Sequence, residues 1–222
     1  KKEEDEHMKE PIGKAFSLAA ENAPVPGCTV SKQIFADPAV TVFSLAENTD
    51  ISAEIYEYPK FLCVLDGCMT VYGKAYAHEL ETDACIVTPT DVPVGVRAET
   101  GAVYLEITLR RRDSMNQNLP IGEAFTLAET LPYSDGKIVN KDLFHNEKMK
   151  FVVMAFDVGT GLSEHAAPGE AMVFALDGEG VIGYEGQEHT LHAGETFCFA
   201  KGGKHFVKAK ERFKMALLLI LD

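Results

Sequence analysis

Histidines are the side chains in this chain best suited to chemistry. Seven are present, and two of them, His165 and His205, lie in glycine-punctuated segments of the C-terminal half. An imidazole can ligate a divalent metal ion or exchange hydrogen bonds with an organic molecule. The five cysteines form no CxxC pair, and the sequence has neither a Ser–His–acid order nor a glycine-rich phosphate loop. Metal binding and recognition of a small polar molecule are therefore the two chemistries to consider.

The sequence that must form the elements around these histidines occurs as an internal repeat. Residues 11–19 return as residues 120–128 with seven of nine positions identical, and the Leu-Asp-Gly of residues 65–67 returns at residues 176–178. A repeat of about 110 residues is the size of a small domain. We predict four parts: a charged tail over 1–10, an N-terminal barrel over 11–110, a polar linker over 111–119 and a C-terminal barrel over 120–222.

Both repeats consist of short runs rich in Val, Ile, Phe and Thr. Gly, Pro, Asp and Asn interrupt these runs every 8 to 12 residues or so, which is typical of an antiparallel all-β fold. Residues 177–180 and 184–187 are predicted hairpin turns, as are 66–67 and 73–74 in the first repeat. The predicted strands of the second repeat are 137–144, 150–158, 162–167, 170–177, 179–185, 187–191, 195–200, 204–209 and 212–221.

The composition limits the classes of binding partner and indicates the cellular compartment to expect. The net charge of −13 and a pI near 5.0 argue against nucleic acid and against an anionic membrane surface, because both require a basic face. No apolar run approaches the length of a membrane span. The cysteine number is odd and no two cysteines are equivalent in the repeat, so we expect buried thiols in a reducing cytoplasm.

Two segments resemble the motifs of the cupin family. Residues 161–178 resemble the first motif, whose pattern is Gly, five residues, His-x-His, three or four residues, Glu, six residues, Gly. Residues 194–205 resemble the second, which carries a Gly and a downstream His. Through the repeat the resemblance covers essentially the whole chain. It implies a bicupin: an all-β protein of two tandem double-stranded β-helix, or jelly-roll, barrels.

The resemblance also implies where a site would lie. In metal-binding cupins the His-x-His, the Glu and the late His converge inside the barrel as three imidazoles and a carboxylate. This sequence keeps the first and last of these positions as His165 and His205, while Ala167 and Ala171 occupy the others. Alternate strand residues share a face, so positions 165, 167 and 171 should point inward.

The predicted ligand contacts are His165, His205, Ala167, Ala171 and Met172. Glu170 is one residue out of register and should face outward, unless a bulge at residues 168–169 turns it inward. Met172 is included as an apolar ligand contact. Three interpretations stay open: one divalent metal (Fe, Mn, Ni or Zn) held by His165 and His205, a metal-free polar spot that binds a small molecule, or relics of a lost site.

The first repeat has diverged further. At the offset of 111 the four cupin positions become Glu54, Tyr56, Lys60 and Val94, so we expect no metal site there. Glu54 and Lys60 should both face the barrel interior as a compensating pair of charges. The N-terminal barrel then either serves only for support or holds a second pocket around Glu54, Tyr56 and Lys60.

Three functions compete on this evidence. The first is binding of a small molecule in the C-terminal barrel around His165 and His205. The second is a metal-dependent enzyme of the dioxygenase, isomerase or decarboxylase type with a reduced two-His site, and the third is a non-catalytic structural protein. We expect the two barrels to pack against each other as subunits of a cupin dimer would, and a homodimer of the whole chain is a further expectation.

Overall fold

The described part of the chain is almost entirely strand. The computed structural model describes residues 8–110 and 113–221. Most of the predicted charged tail and residues 111–112 of the predicted linker therefore lie outside the described residues. Of the tail, Met8 is buried, and Glu10 is buried in an ion pair with Lys32 at 2.6 Å.

Eighteen strands are present in the described residues. In chain order they are β1 (Ala15–Phe16), β2 (Thr29–Phe35), β3 (Val40–Leu45), β4 (Thr49–Ile55), β5 (Lys60–Tyr72), β6 (Ala77–Glu81), β7 (Ala84–Val87), β8 (Pro93–Ala98), β9 (Ala102–Thr108), β10 (Ser114–Met115), β11 (Ala124–Thr126), β12 (Ile138–His145), β13 (Met149–Phe156), β14 (Gly161–Ala166), β15 (Glu170–Tyr184), β16 (Gln187–His192), β17 (Thr196–Phe199) and β18 (Lys204–Ile220). The only helical segments in the described residues are α1 (Leu18–Glu21) and a 3₁₀ turn at Leu127–Thr130. No helix in this part of the chain is both long and apolar enough to span a bilayer.

The strands form two curled sheets of nine, one for each repeat. In the C-terminal sheet the long strands β15 and β18 pair along most of their length, and β13, β14, β16 and β17 extend the sheet on either side. In the N-terminal sheet β5 has the role of β15, while β8 and β9 together match β18. The predicted all-β pair of barrels is confirmed.

Two predicted turns are wrong. The Asp-Gly pairs at 177–178 and 66–67 do not close hairpins, because β15 and β5 run through them with a shift of register at each. Gly178 has φ +72°, and a Cβ there would lie 2.0 Å from the carbonyl oxygen of Arg212. A glycine at this point lets the strand bulge and bend rather than reverse. The predicted turn at 184–187 is confirmed, with Glu185 and Gly186 both at positive φ.

The first strand of each repeat pairs with the sheet of the other. Strand β1 adds to β17, with Ala15 opposite Phe197, and β11 adds to β7, with Phe125 opposite Cys85. An isolated bridge continues each contact, Ile12 to Cys198 and Val87 to Ile121. The two repeats are therefore joined by a reciprocal exchange of β strands, which the sequence pattern did not reveal.

The largest apolar core lies between the barrels rather than within either one. It takes side chains from both repeats and from the exchanged segments, including Phe16, Leu18 and Leu127. Phe61 of β5 is fully buried at its centre, with ring centroids 5.5 Å from Phe144 and 5.3 Å from Phe151 of the other barrel. Each barrel has in addition a smaller core of its own.

Phe61→Ala should lower the free energy of unfolding by about 3–5 kcal/mol, the range for truncating a fully buried aromatic side chain. Urea denaturation followed by circular dichroism measures this change. Ile55→Ala is the matched control, because Ile55 is 67% exposed and should change stability by less than about 0.5 kcal/mol. A loss below about 1 kcal/mol for Phe61→Ala would show that the interface is dispensable for folding.

Candidate functional site

The two candidate histidines are neighbours across a strand pair. His165 of β14 lies directly opposite His205 of β18, and a shift of register between Leu162 and His165 precedes this contact. Directly opposed residues project to the same face of a sheet. The two imidazole rings are accordingly 4.2 Å apart, centroid to centroid, at an angle of 54°. The structure thus brings together the pair that the sequence predicted.

Both rings are oriented by the backbone. Nδ1 of His165 lies 2.9 Å from the carbonyl oxygen of Ser163, and Nδ1 of His205 lies 3.1 Å from that of Gly203. A carbonyl oxygen only accepts, so each Nδ1 carries the hydrogen, and in the neutral ring Nε2 is left with a lone pair. Neither Nε2 has a protein partner among residues 8–110 and 113–221. The pair therefore presents two adjacent acceptor nitrogens.

Burial keeps His205 uncharged. Its side chain is 9% exposed, and loss of hydration lowers the pKa of its imidazole. The hydrogen bond to Gly203 opposes this shift, and the neighbouring His165 adds to it. At neutral pH His205 is consequently a hydrogen-bond acceptor at Nε2 rather than a cation. His165 is exposed at the rim, so the pair joins a solvent-facing imidazole to a buried one.

Aromatic side chains fill the space beneath the pair. The His205 ring stacks on Phe199 at 4.2 Å and 26°, and Phe199 contacts Phe197 at 5.2 Å. Phe156 and Phe213 complete the fully buried interior of this barrel. The histidines therefore stand at the mouth of a packed barrel, above an apolar floor.

The predicted neighbours divide between two faces. Ala167 and Ala171 are buried in the interior core of the C-terminal barrel, on the inward side that the strand period predicts. Ala167 also exchanges backbone hydrogen bonds with the turn before His205, from its N to Gly203 O and from Gly202 N to its O. Met172 is the exception. It lies on the opposite face of β15, in the core between the barrels, so its prediction as a ligand contact is wrong.

Glu170 does not turn toward the histidines. Its Oε2 accepts a hydrogen bond from the backbone N of Met8 at 3.0 Å, in the N-terminal segment. The backbone at residues 168–169 therefore does not rotate Glu170 into the barrel. The two imidazoles keep Ala167 and Ala171 as neighbours at the positions where the family pattern has further ligands.

The donor set does not fit a tightly held metal ion. No cluster of three or more His, Cys, Asp or Glu side chains with suitable geometry exists in the described ranges. Catalytic zinc sites typically use three protein ligands, and this pair supplies two nitrogens. Any ion here would need most of its ligands from water or from a bound molecule.

The N-terminal barrel has a different interior. Glu54, Tyr56 and Lys60 line one cavity of about 220 Å³, as the second-pocket prediction requires. The predicted pairing of Glu54 with Lys60 is wrong, however, because Lys60 Nζ lies 2.8 Å from Glu106 Oε1. Lys60 Nζ also lies 3.8 Å from the centroid of the Tyr56 ring.

Sequence reasoning missed Glu106, although a signal was present. In β9 the residues Val103, Leu105 and Ile107 pack between the barrels, and Tyr104 lies in the N-terminal barrel's own core. Alternation along the strand then places Glu106 on the inner face with Tyr104. The strand period alone would have identified an inward carboxylate.

Comparisons with known proteins agree with this architecture. Residues 152–221 match the family model described as "Cupin domain". The C-terminal barrel is therefore similar to cupin domains over these residues. A search of the curated proteins found no significant match. The solved structure of a Cupin 2 conserved barrel domain protein from Leptotrichia buccalis covers 96% of this chain and 99% of its own, with 24% identity and a TM-score of 0.81.

Two further solved structures align with most of this chain at lower identity. Salicylate 1,2-dioxygenase from Pseudaminobacter salicylatoxidans has 9% identity and a TM-score of 0.56, covering 81% of this chain and 70% of its own. Protein Ylba from E. coli has 13% identity and a TM-score of 0.56, covering 95% and 92%. At these identities the likeness establishes the fold alone. The prediction of a bicupin fold is confirmed.

The acidic partner of Lys60 can be tested by matched variants. Glu106→Gln should lower the free energy of unfolding by about 1–3 kcal/mol, since it leaves the ammonium group without its charged partner in a half-buried site. Glu54→Gln should change it by less than about 0.5 kcal/mol because Glu54 is exposed. Urea denaturation of the two variants measures the difference. Equal losses would contradict the Lys60–Glu106 pairing.

The lowered pKa of His205 predicts how stability depends on pH. The unfolded chain protonates near the ordinary pKa of 6.5, while the folded imidazole resists protonation. This contribution to stability is present above that pH and is lost as the pH falls below it. His205→Gln should therefore lose less stability than the wild type between about pH 8 and about pH 5 in urea denaturation.

The control for that experiment is His145→Gln, which removes an exposed imidazole that has no ion-pair partner within residues 8–110 and 113–221. It should keep the wild-type pH dependence. If His205→Gln loses stability with falling pH as steeply as the wild type, His205 is not the buried neutral group described above.

Proposed function

We propose that this cupin binds a small organic molecule carrying hydrogen-bond donors at the mouth of its C-terminal barrel. The observation that carries the proposal is the cross-strand pair His165 and His205. Both Nδ1 atoms of this pair donate hydrogen bonds to backbone carbonyl oxygens. Two adjacent Nε2 acceptors, one exposed and one buried, suit a ligand with hydroxyl or N–H groups. Binding sites of this kind combine an apolar surface with a few fixed polar atoms.

The apolar floor supports the same conclusion. The Phe199 ring beneath His205 removes water from one side of the imidazole, and a hydrogen bond to a dehydrated acceptor is stronger than one in bulk water. A molecule that supplies a donor would replace water at this acceptor, and a net hydrogen bond of this kind contributes about 0.5–1.5 kcal/mol. All five cysteines are free, which is consistent with a cytoplasmic setting for this role.

A metal-dependent reaction of dioxygenase, isomerase or decarboxylase type is the second candidate. It is favoured by the Nδ1 hydrogen bonds, because histidines that ligate metals commonly donate their other nitrogen to a backbone carbonyl or carboxylate. His165 and His205 would hold the ion through Nε2, and the ion would supply Lewis-acid or oxygen chemistry when bound. It ranks second because the part of the chain that the structure describes offers two donors at this point.

The proposal predicts the behaviour of His165→Gln and His205→Gln. Ligand-observed NMR with a panel of small alcohols, phenols and amides first identifies a binding probe. Each variant should then weaken binding of that probe by about fivefold, the value of roughly one neutral hydrogen bond. His192→Gln should leave binding unchanged because His192 lies outside the pair. Variants that bind every probe like the wild type would overturn the proposal.

Elemental analysis separates the two candidates. The purified protein is incubated in turn with iron, manganese, nickel and zinc, beside the His165→Ala/His205→Ala double variant. The binding proposal expects less than stoichiometric metal in both proteins. Near-stoichiometric metal in the wild type that is lost in the double variant would replace the first candidate by the second.

A further inference from the structure

The N-terminal barrel encloses a cavity that the function proposed above does not use. The cavity measures about 220 Å³, and its walls come from β3, β4, β5, β8 and β9. An apolar protein cavity of about 150 Å³ is large enough for benzene. The space within this barrel therefore accommodates a compact organic molecule built around one ring.

The walls of the cavity are apolar and aromatic. Phe43 and Tyr104 stack in parallel, with centroids 5.1 Å apart and planes 8° from parallel, and Tyr56 adds a third ring. Four aliphatic side chains line most of the remaining uncharged wall, with Thr88 and Gly95 beside them: Ile51, Leu62, Val94 and Val96. Such walls suit the hydrocarbon body of a ligand, and the aromatic faces also attract a positive charge.

The charged groups of the cavity do not balance. Its charged lining residues are Glu54, Lys60 and Glu106. Lys60 is neutralised by Glu106, with side chains 18% and 12% exposed, and its ammonium group is further held over the Tyr56 ring. Glu54 has no ion-pair partner within residues 8–110 and 113–221. The cavity thus has one uncompensated negative charge.

The location of Glu54 determines which ligands its negative charge can attract. Glu54 is exposed while Lys60 and Glu106 are half-buried, so Glu54 lies at the solvent-facing end of the cavity. A molecule entering from this end meets the free carboxylate first and the apolar walls behind it. A carboxylate ligand would meet the opposite situation, since Glu54 repels it and Lys60 is already paired with Glu106.

We infer that the N-terminal barrel is a second binding site, specific for a small primary amine with an apolar, ring-sized body. The ammonium group of the ligand pairs with Glu54, and its body occupies the space between the Phe43–Tyr104 stack and the aliphatic walls. This inference is independent of the function proposed for the C-terminal barrel.

Three probes of one shape test the sign of the charge. Phenethylamine, 2-phenylethanol and phenylacetate share a ring and a two-carbon arm or its near equivalent, and differ as cation, neutral molecule and anion. Titration at low salt, followed by NMR of the Ile51, Val94 and Val96 methyl groups, should show phenethylamine binding about two- to fivefold more tightly than the other two. An ion pair with an exposed carboxylate, about 0.5–1 kcal/mol, accounts for such a ratio.

Matched variants locate the interaction. Glu54→Gln should weaken phenethylamine binding by about two- to fivefold while leaving 2-phenylethanol unchanged. Asp50→Asn removes the same charge from the same strand but lies outside the cavity lining, and it should leave both affinities unchanged. Tighter binding of phenylacetate, equal effects of the two variants, or no methyl shifts with any probe would each overturn the inference.

The two sites can be judged separately. The His165→Ala/His205→Ala variant should bind phenethylamine like the wild type, because those side chains belong to the other barrel. A loss of amine binding in that variant would assign the amine to the C-terminal mouth and overturn the inference for the N-terminal cavity. Failure of the C-terminal proposal would leave the amine result standing.

Discussion

The apolar contact between the two barrels is the interaction on which the rest of this structure depends. Each barrel turns one face of its curled sheet toward the other, and side chains such as Phe61, Phe144 and Phe151 interlock there. Once that outer face is occupied, residues of alternate parity are left to the barrel interiors. Strand periodicity then decides which side chains can meet a ligand, as Met172 and Ala171, adjacent in sequence, illustrate.

Within that common frame the two interiors have diverged. The C-terminal barrel fills its centre with phenylalanines and keeps its polar atoms, His165 and His205, at the mouth. The N-terminal barrel has Val94 where His205 stands, and keeps an open space with an internal Lys60–Glu106 pair. Leu217 occupies the position in the second repeat that corresponds to Glu106. The same arrangement of strands thus surrounds a packed aromatic interior in one barrel and a cavity with an ion pair in the other.

Much of this could be predicted from sequence, and the failures have physical causes. The two-residue period of a strand correctly placed Ala167 and Ala171 inward. The sequence repeat correctly indicated that the same strands recur in both barrels. The sequence predicts a turn at Asp177-Gly178 because a hairpin and a glycine bulge can both place a residue at positive φ, and local sequence cannot separate them. The partner of Lys60 was missed because Glu54 is closer in sequence, whereas Glu106 reaches it from a strand that pairs with β5 only in the folded sheet.

The exchange of first strands was hidden for a different reason. Both repeats begin with the same segment, so either copy fits either barrel and the sequence is symmetric with respect to the choice. The choice has a consequence for biosynthesis. Strand β1 pairs with β17 of the other repeat, so these contacts are highly non-local and slow to form. During translation β1 is therefore made long before its partner β17, and the N-terminal sheet gains β11 only when the second repeat begins.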